Sequence, residues 1–161
     1  MAVTTNASII LLCIFVFTVF SSTLALRDPI KFDKCEKESK SVIASVDIEP
    51  FKKDARGNFI FYRGSNVTAT VKFTPNVEVT EGTVQLFVIL FGRKMPMKVP
   101  QPNACIDHNI KCPLSPNTEY TMIGDIQVMK NLPTLPFIVQ LDVKLPNEEY
   151  LYCFQMKVHI M

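Results

Sequence analysis

Cys105 and Cys112 enclose the six residues "IDHNIK" and are themselves bracketed by Pro102 and Pro113. Thiols at that spacing could bind a metal, cycle as a dithiol or lock as a disulfide. A zinc knuckle wants pairs spaced C-x₂₋₄-C with further Cys or His at matching intervals. This spacing is longer, and His108 and His159 are the only histidines. A redox dithiol is normally C-x-x-C. Asp107 beside His108 has the composition of a base and its orienting group, yet no nucleophile accompanies the pair within the short loop. The chain also lacks G-x-S-x-G, H-E-x-x-H and a phosphate-binding glycine loop. His159 falls on the outward parity of the last apolar stretch and reads as a solvated surface residue. The expectation is a protein without catalytic activity, metal or cofactor.

The compartment decides what the cysteines do. Residues 1–26 contain no Lys, Arg, Asp or Glu, and within them "IILLCIFVFTVF" is almost wholly apolar. "SSTLAL" follows, with Thr23 and Ala25 placed as the small −3 and −1 residues of a cleavage site. This is the layout of a secretory signal peptide over 1–25; twelve apolar residues fall short of the roughly 20 that span a bilayer. Cleavage leaves one domain, 26–161, in a secreted, extracellular or endosomal and lysosomal setting. Cys13 departs with the signal, so five cysteines become four, with three possible pairings. Cys105–Cys112 is the economical local bridge, and Cys35–Cys153 follows by elimination, joining the two ends of the domain. Chain-entropy estimates give about 2.5 kcal/mol for the short loop and about 4.7 kcal/mol for the long one.

The elements that must carry these cysteines read as strands. "SVIASVDIE" places Val42, Ala44, Val46 and Ile48 on one face, and "NVTATVKFT" places Val67, Ala69, Val71 and Phe73 inward. "TLPFIVQLDVKL" sets Phe137, Val139, Leu141 and Val143 against Ile138, Gln140, Asp142 and Lys144. "YLYCFQMKVHI" puts Tyr150, Tyr152, Phe154, Met156, Val158 and Ile160 on one side. "GTVQLFVILF" is apolar on both parities and predicts a central strand covered on both sides. Turn signals such as "DARGN" and "RGS" separate these runs, and no helical stripe competes. Seven or eight strands in one domain imply an all-β antiparallel sandwich. An ordinary immunoglobulin domain would pack a core Trp on an inter-sheet disulfide; this chain has no Trp.

Charge is close to balanced, 17 basic against 15 acidic residues, and scattered, which argues against nucleic acid. Inward positions mix bulky Leu86, Leu90, Phe137, Leu141 and Phe154 with small Ala44 and Ala69. Methionines 95, 97, 122, 129 and 156 add side chains that adapt to irregular apolar surfaces. Composition alone fits an ordinary core as well as a ligand cavity.

The segments "DPIKFDKC", "FTPNV", "VPQPNACIDHNIKCPL", "YTMIGDIQVMKNLP" and "YLYCFQMKVHI", in that order, resemble the ML (lipid-recognition) domain family. Its members include secreted sterol-transfer proteins of the Niemann–Pick type C kind and mite group-two allergens. The resemblance implies an immunoglobulin-like two-sheet sandwich with an apolar ligand held between the sheets, and disulfides at the two pairings above. It also exposes a departure: the family commonly has a third disulfide where this chain reads "EPFKKDARGNFIFY", with Phe51 and Phe59 near the missing pair.

Position by position, the resemblance places a pocket mouth at Met97, Val128, Leu132 and Pro133. It places walls at Val67, Ala69, Val71, Leu86, Val88, Leu90, Val139, Leu141, Phe154 and Val158. Aromatic positions of the sterol proteins are here Met97, Leu132 and Leu141, which implies a more adaptable pocket suited to fatty acids as well as sterols. Arg93, Lys94, Lys98 and Lys130 would form a basic rim able to meet an anionic membrane. The function implied is a secreted, monomeric carrier of one sterol, fatty acid or similar apolar small molecule, delivering it to a membrane or a lipid-accepting receptor. The alternative is an extracellular lipid-recognition module acting through a protein partner. The sequon "NVT" marks Asn66, on an outward parity, for N-glycosylation.

Overall fold

The computed structural model describes residues 30–161. The expected signal segment, 1–25, and Cys13 lie outside the described residues. Nine strands form two sheets, with no helix among the described residues. They are β1 (Asp33–Lys34), β2 (Ser41–Glu49), β3 (Phe59–Phe61), β4 (Asn66–Pro75), β5 (Thr83–Leu90), β6 (Arg93–Met97), β7 (Tyr120–Gln127), β8 (Pro136–Lys144) and β9 (Tyr150–Ile160).

The larger sheet runs β1-β9-β8-β5-β6, and the smaller β2-β4-β7. Pairing is antiparallel except for β3, which joins β9 in parallel through Phe59↔Val158 and Phe61↔Ile160. The eleven-residue β9 is long enough to accept β1 at Phe154 and Gln155 and β3 further along the same edge. The fold is therefore the two-sheet β-sandwich that the alternation predicts. Val67, Ala69, Val71 and Phe73 of β4 face Phe137, Val139, Leu141 and Val143 of β8 and Tyr152, Phe154, Met156, Val158 and Ile160 of β9, all within one apolar core.

Strand β2 corrects the sequence reading. Its register slips between Ile43 and Ser45, leaving Ala44 as the extra residue of a bulge. A bulge reverses inside and outside along the strand. Val46 and Ile48 point inward after it, whereas before it Ile43 packs on the core and Val42 is 57 % exposed. Strand β5 also departs from expectation, because among the described residues no further layer lies over its outer parity. Phe87 and Ile89 remain half-buried, with the Lys94 ammonium 3.8 Å from the Phe87 ring centroid.

Both disulfides form between the expected partners, Cys35–Cys153 and Cys105–Cys112, each with Cα atoms 5.5 Å apart. The first ties the segment after β1 to β9. The second closes the loop that leads into β7. In the stretch where the resemblance implied a third disulfide, Phe51 meets Phe59 edge-to-face at 5.8 Å, and the Lys53 ammonium lies over both rings at 5.4 and 4.9 Å. Asp54 anchors the same loop. Its carboxylate accepts from the backbone N–H groups of Arg56 and Asn58, from Asn58 Nδ2, and stands 3.2 Å from His159 Nδ1. His159 is thus half-buried against a carboxylate rather than solvated. Apolar and polar contacts together hold this loop.

Candidate ligand-binding site

The inward face of the sandwich is not filled along its whole length. A cavity of about 530 Å³ lies between the sheets, within the 300–1,000 Å³ range usual for small-molecule pockets. Ala69 and Val71 of β4 and Met122 of β7 form one wall. Leu86 and Val88 of β5 with Val139 and Leu141 of β8 form the other. Phe61 and Phe137 lie toward one end, Val84 and Tyr152 toward the other. The lining reaches Met97 through Pro100 beyond β6 and Gly124 through Met129 along β7, with Leu132 beside them. Since β6 and β7 are the outer strands of their sheets, the open side is the seam between those two edges.

The small residues explain the hollow. Across it, Ala69 and Val71 face Val88 and Val139, which do not bridge two sheets spaced about 10 Å apart. No ionisable side chain projects from the walls formed by β4, β5 and β8. Tyr152 is fully buried, and its hydroxyl donates to the Met122 thioether at 2.9 Å; burial alone pushes its pKa far above the usual phenol value. At the seam, Lys98 supplies a cation and His108 presents its ring. Asp125 of β7 joins them at the seam, so the ionisable groups stand at the opening while the walls between the sheets are apolar and can desolvate an apolar molecule. Among the described residues, no cluster of three or more His, Cys, Asp or Glu could hold a metal.

Of the residues named from the sequence, Met97, Val128, Leu132, Ala69, Val71, Leu86, Val88, Val139 and Leu141 line this cavity. Five do not, each for a physical reason. Val67 points inward but is 1 % exposed, its surface taken by packed neighbours. Phe154 is held between Phe32 at 5.7 Å and Tyr152 at 6.4 Å. Val158 is enclosed between Phe137 on β8 and Phe59 on β3. Leu90 sits at the hairpin end of β5, beyond the hollow, and Pro133 lies in an exposed turn whose carbonyl accepts the Leu135 N–H. The sequence reading omitted Phe61, Val84, Val99, His108, Met122 and Tyr152. Tyr152 shares the inward parity of β9 and was legible in principle. His108 gave no periodic signal, because it enters from a loop.

The basic rim divides. Lys94 turns to the outer face of the larger sheet, over Phe87 and 3.9 Å from Asp142 Oδ2. The Lys130 stem packs over Gly64, whereas Arg93 and Lys98 remain exposed.

The ML-domain family model matches residues 29–160. The chain belongs to the ML-domain family. The bovine (Bos taurus) NPC intracellular cholesterol transporter 2 is 23 % identical over 146 residues, covering 91 % of this chain and 94 % of that protein. The ecdysteroid-regulated 16 kDa protein of Manduca sexta is 25 % identical over 120 residues, 74 % and 81 % of the two chains. Among solved structures, a Niemann–Pick type C2 protein from the Japanese carpenter ant superposes with a TM-score of 0.74 at 22 % identity. That match covers 82 % of this chain and all of the ant chain, and it shows the same fold. As an ML-domain protein the chain is not an enzyme.

Proposed function

We propose that this ML-domain protein is a secreted carrier that holds one sterol, fatty acid or similar apolar molecule between its sheets and gives it up through the β6–β7 seam. The observation that carries this reading is the 530 Å³ apolar cavity opening at two sheet edges. The relatives named as cholesterol transporters support it. A ligand of about 25 non-hydrogen atoms at about 0.3 kcal/mol each gains about 7.5 kcal/mol, a low-micromolar affinity. The remaining details belong to the same proposal: cleavage after Ala25, secretion as a monomer, and a glycan on Asn66, whose side chain is exposed at the start of β4.

The test is solvent extraction of protein purified from a eukaryotic secretory host, followed by mass spectrometry, together with titration by a fluorescent sterol and a fluorescent fatty acid. Stoichiometric lipid that exchanges with either probe is the expected result. Protein that holds no lipid and binds neither probe would overturn the carrier reading.

One observation favours a second reading, recognition of a membrane or partner at the hairpin. Phe91 at the β5–β6 turn is 89 % exposed, with Met95 and Arg93 beside it. Flotation with anionic vesicles distinguishes the two. A delivering carrier binds lipid without vesicles, whereas a pure recognition module holds none until its partner is present.

A further inference from the structure

His108 is the feature of the sequence that the carrier reading leaves unused. It is 7 % exposed, sits in the Cys105–Cys112 loop and reaches the cavity. The two residues that flank it, Asp107 and Asn109, both adopt left-handed backbone conformations, with φ of 60° and 62°. That conformation is uncommon outside glycine, and here it turns the imidazole inward. Beneath the ring lies Gly124, where an added Cβ would come within 3.8 Å of Nδ1.

Both ring nitrogens face carbonyl oxygens: Nδ1 is 3.0 Å from Ile123 O and Nε2 is 2.9 Å from Gln101 O. Those carbonyls lie on opposite sides of the seam. Ile123 lies on β7, the edge of the smaller sheet. Gln101 lies on the segment that continues the β6 edge, held to β5 by the Val84 N–H donating to Pro102 O at 2.7 Å. The Ile123 N–H also donates to His108 O at 3.0 Å, fixing the loop to β7 independently of the ring. The ring therefore spans the seam through which the cavity opens.

A neutral imidazole has one N–H and one lone pair, so it can donate to only one of two carbonyls. The other nitrogen would then oppose an oxygen lone pair in a buried site. An imidazolium donates to both. Imidazole is also the side chain that ordinarily changes charge between pH 5 and 8. We propose that His108 is a proton-operated clasp: protonated, it bonds both sides of the seam and holds it closed; neutral, it releases one of them and the cavity exchanges ligand faster. The surrounding charges are Asp107 and Lys111 on its own loop, Lys98 on the edge segment and Asp125 on β7, the last accepting from Thr68 Oγ1 at 2.6 Å. Strand β5 carries no charge. This inference rests on the carrier reading for its consequence, though not for its geometry.

The test has two arms on the full mature chain. Ring ¹⁵N shifts of His108 should show two protonated nitrogens at pH 5 and one at pH 7.5. A ring that stays in one state throughout that range overturns the clasp. Release of dehydroergosterol, a neutral fluorescent sterol, should be about three- to tenfold slower at pH 5, the scale of one hydrogen bond. His108→Gln should abolish that dependence and His159→Gln should retain it; a His108→Gln protein with the full dependence overturns the proposal. Should no sterol bind, the carrier reading fails for that probe, while the ring titration still decides the clasp.

Discussion

The same inward faces of the two sheets are solid in one region and hollow in another. In the solid part, Phe73, Phe154 and Val158 are 0 % exposed, and the Phe73 ring stands 5.0 Å from that of Tyr152, which closes one end of the cavity. Around the hollow, Val88, Val139 and Leu141 are 7–9 % exposed although they too point inward, from β5 and β8. Direction and filling are thus separate properties. Alternation sets which way a side chain points, and the summed volume of what faces it sets whether space remains. Aromatic residues on both β4 and β9 close one region; alanine and valine on β4 opposite valine on β5 and β8 leave the other open.

The largest expected effect lies in the solid region. Phe154→Ala should cost about 3–5 kcal/mol, since it removes a ring packed on two others and leaves a new void. Leu141→Ala, beside space already empty, should fall at the low end of its class, about 2 kcal/mol. Urea denaturation of the two variants measures the contrast. Equal losses would mean that the two regions are packed alike. For ligand binding the ranking inverts. Met97→Asp should lower affinity for a fluorescent fatty acid at least tenfold, because an unpaired carboxylate must be desolvated at the seam. Lys72→Asp, exposed on the outer face of β4, should leave binding unchanged. Circular dichroism on both variants separates lost binding from lost folding.

Much of this architecture was legible in the sequence. Period-two alternation placed β4, β8 and β9 and their inward residues, and the short Cys105–Cys112 spacing, with elimination, gave both bridges. The position of the hollow was not legible from parity. Val67, Phe154 and Val158 share it with true lining residues, and only the identity of their cross-sheet neighbours tells them apart. The bulge at Ala44 escaped as well, because both settings of "SVIASVDIE" bury two or more apolar side chains. His108 escaped for another reason: two backbone carbonyls distant in sequence define its environment, and no local pattern encodes them.

The outer face of the larger sheet supplies a second contrast with the apolar interior. Asp142 is 0 % exposed there, accepts from Gln140 Nε2 at 2.9 Å through Oδ2, and among the described residues Oδ1 has no hydrogen-bond partner. Burial raises its pKa above the usual carboxylate value, against the opposing hydrogen bond from Gln140 and the charge of Lys94. A carboxyl with a raised folded-state pKa binds its proton more tightly when folded. Stability therefore falls as pH rises from the unfolded-state value, near 4, through the folded-state one. Asp142→Asn removes the penalised charge and should raise Tm at pH 7 by about 3 °C, with the gain shrinking toward pH 4. Melting both proteins from pH 4 to 7.5 checks it. A variant that melts lower at pH 7 contradicts this account.

The smallest effect concerns the loop that lacks a disulfide. Asp54 is held well below the usual carboxylate range, at about 2, chiefly by the Asn58 side chain, with the backbone N–H groups of Asn58 and Arg56 and the His159 ring adding to it against partial desolvation. A depressed folded-state pKa means that the ionised form supports the fold. Its contribution is complete above the usual carboxylate range and is lost as pH falls through about 2. Because the aromatic contact of Phe51 with Phe59 is independent of this carboxylate, protonation should loosen the loop locally rather than unfold the domain. The Ile60 N–H, which donates to Lys52 O at 2.9 Å across the loop, is the reporter. In the wild type its hydrogen-exchange protection should persist at pH 4 and fall toward pH 2, while amides of β4 stay protected. Asp54→Asn keeps the shape of the side chain but sets its amide against that of Asn58. It should show the weakened protection already at pH 7, with a Tm loss of only about 1–2 °C. If Ile60 exchanges identically in the two proteins at pH 7, the carboxylate does not hold this loop and the phenylalanine pair alone does.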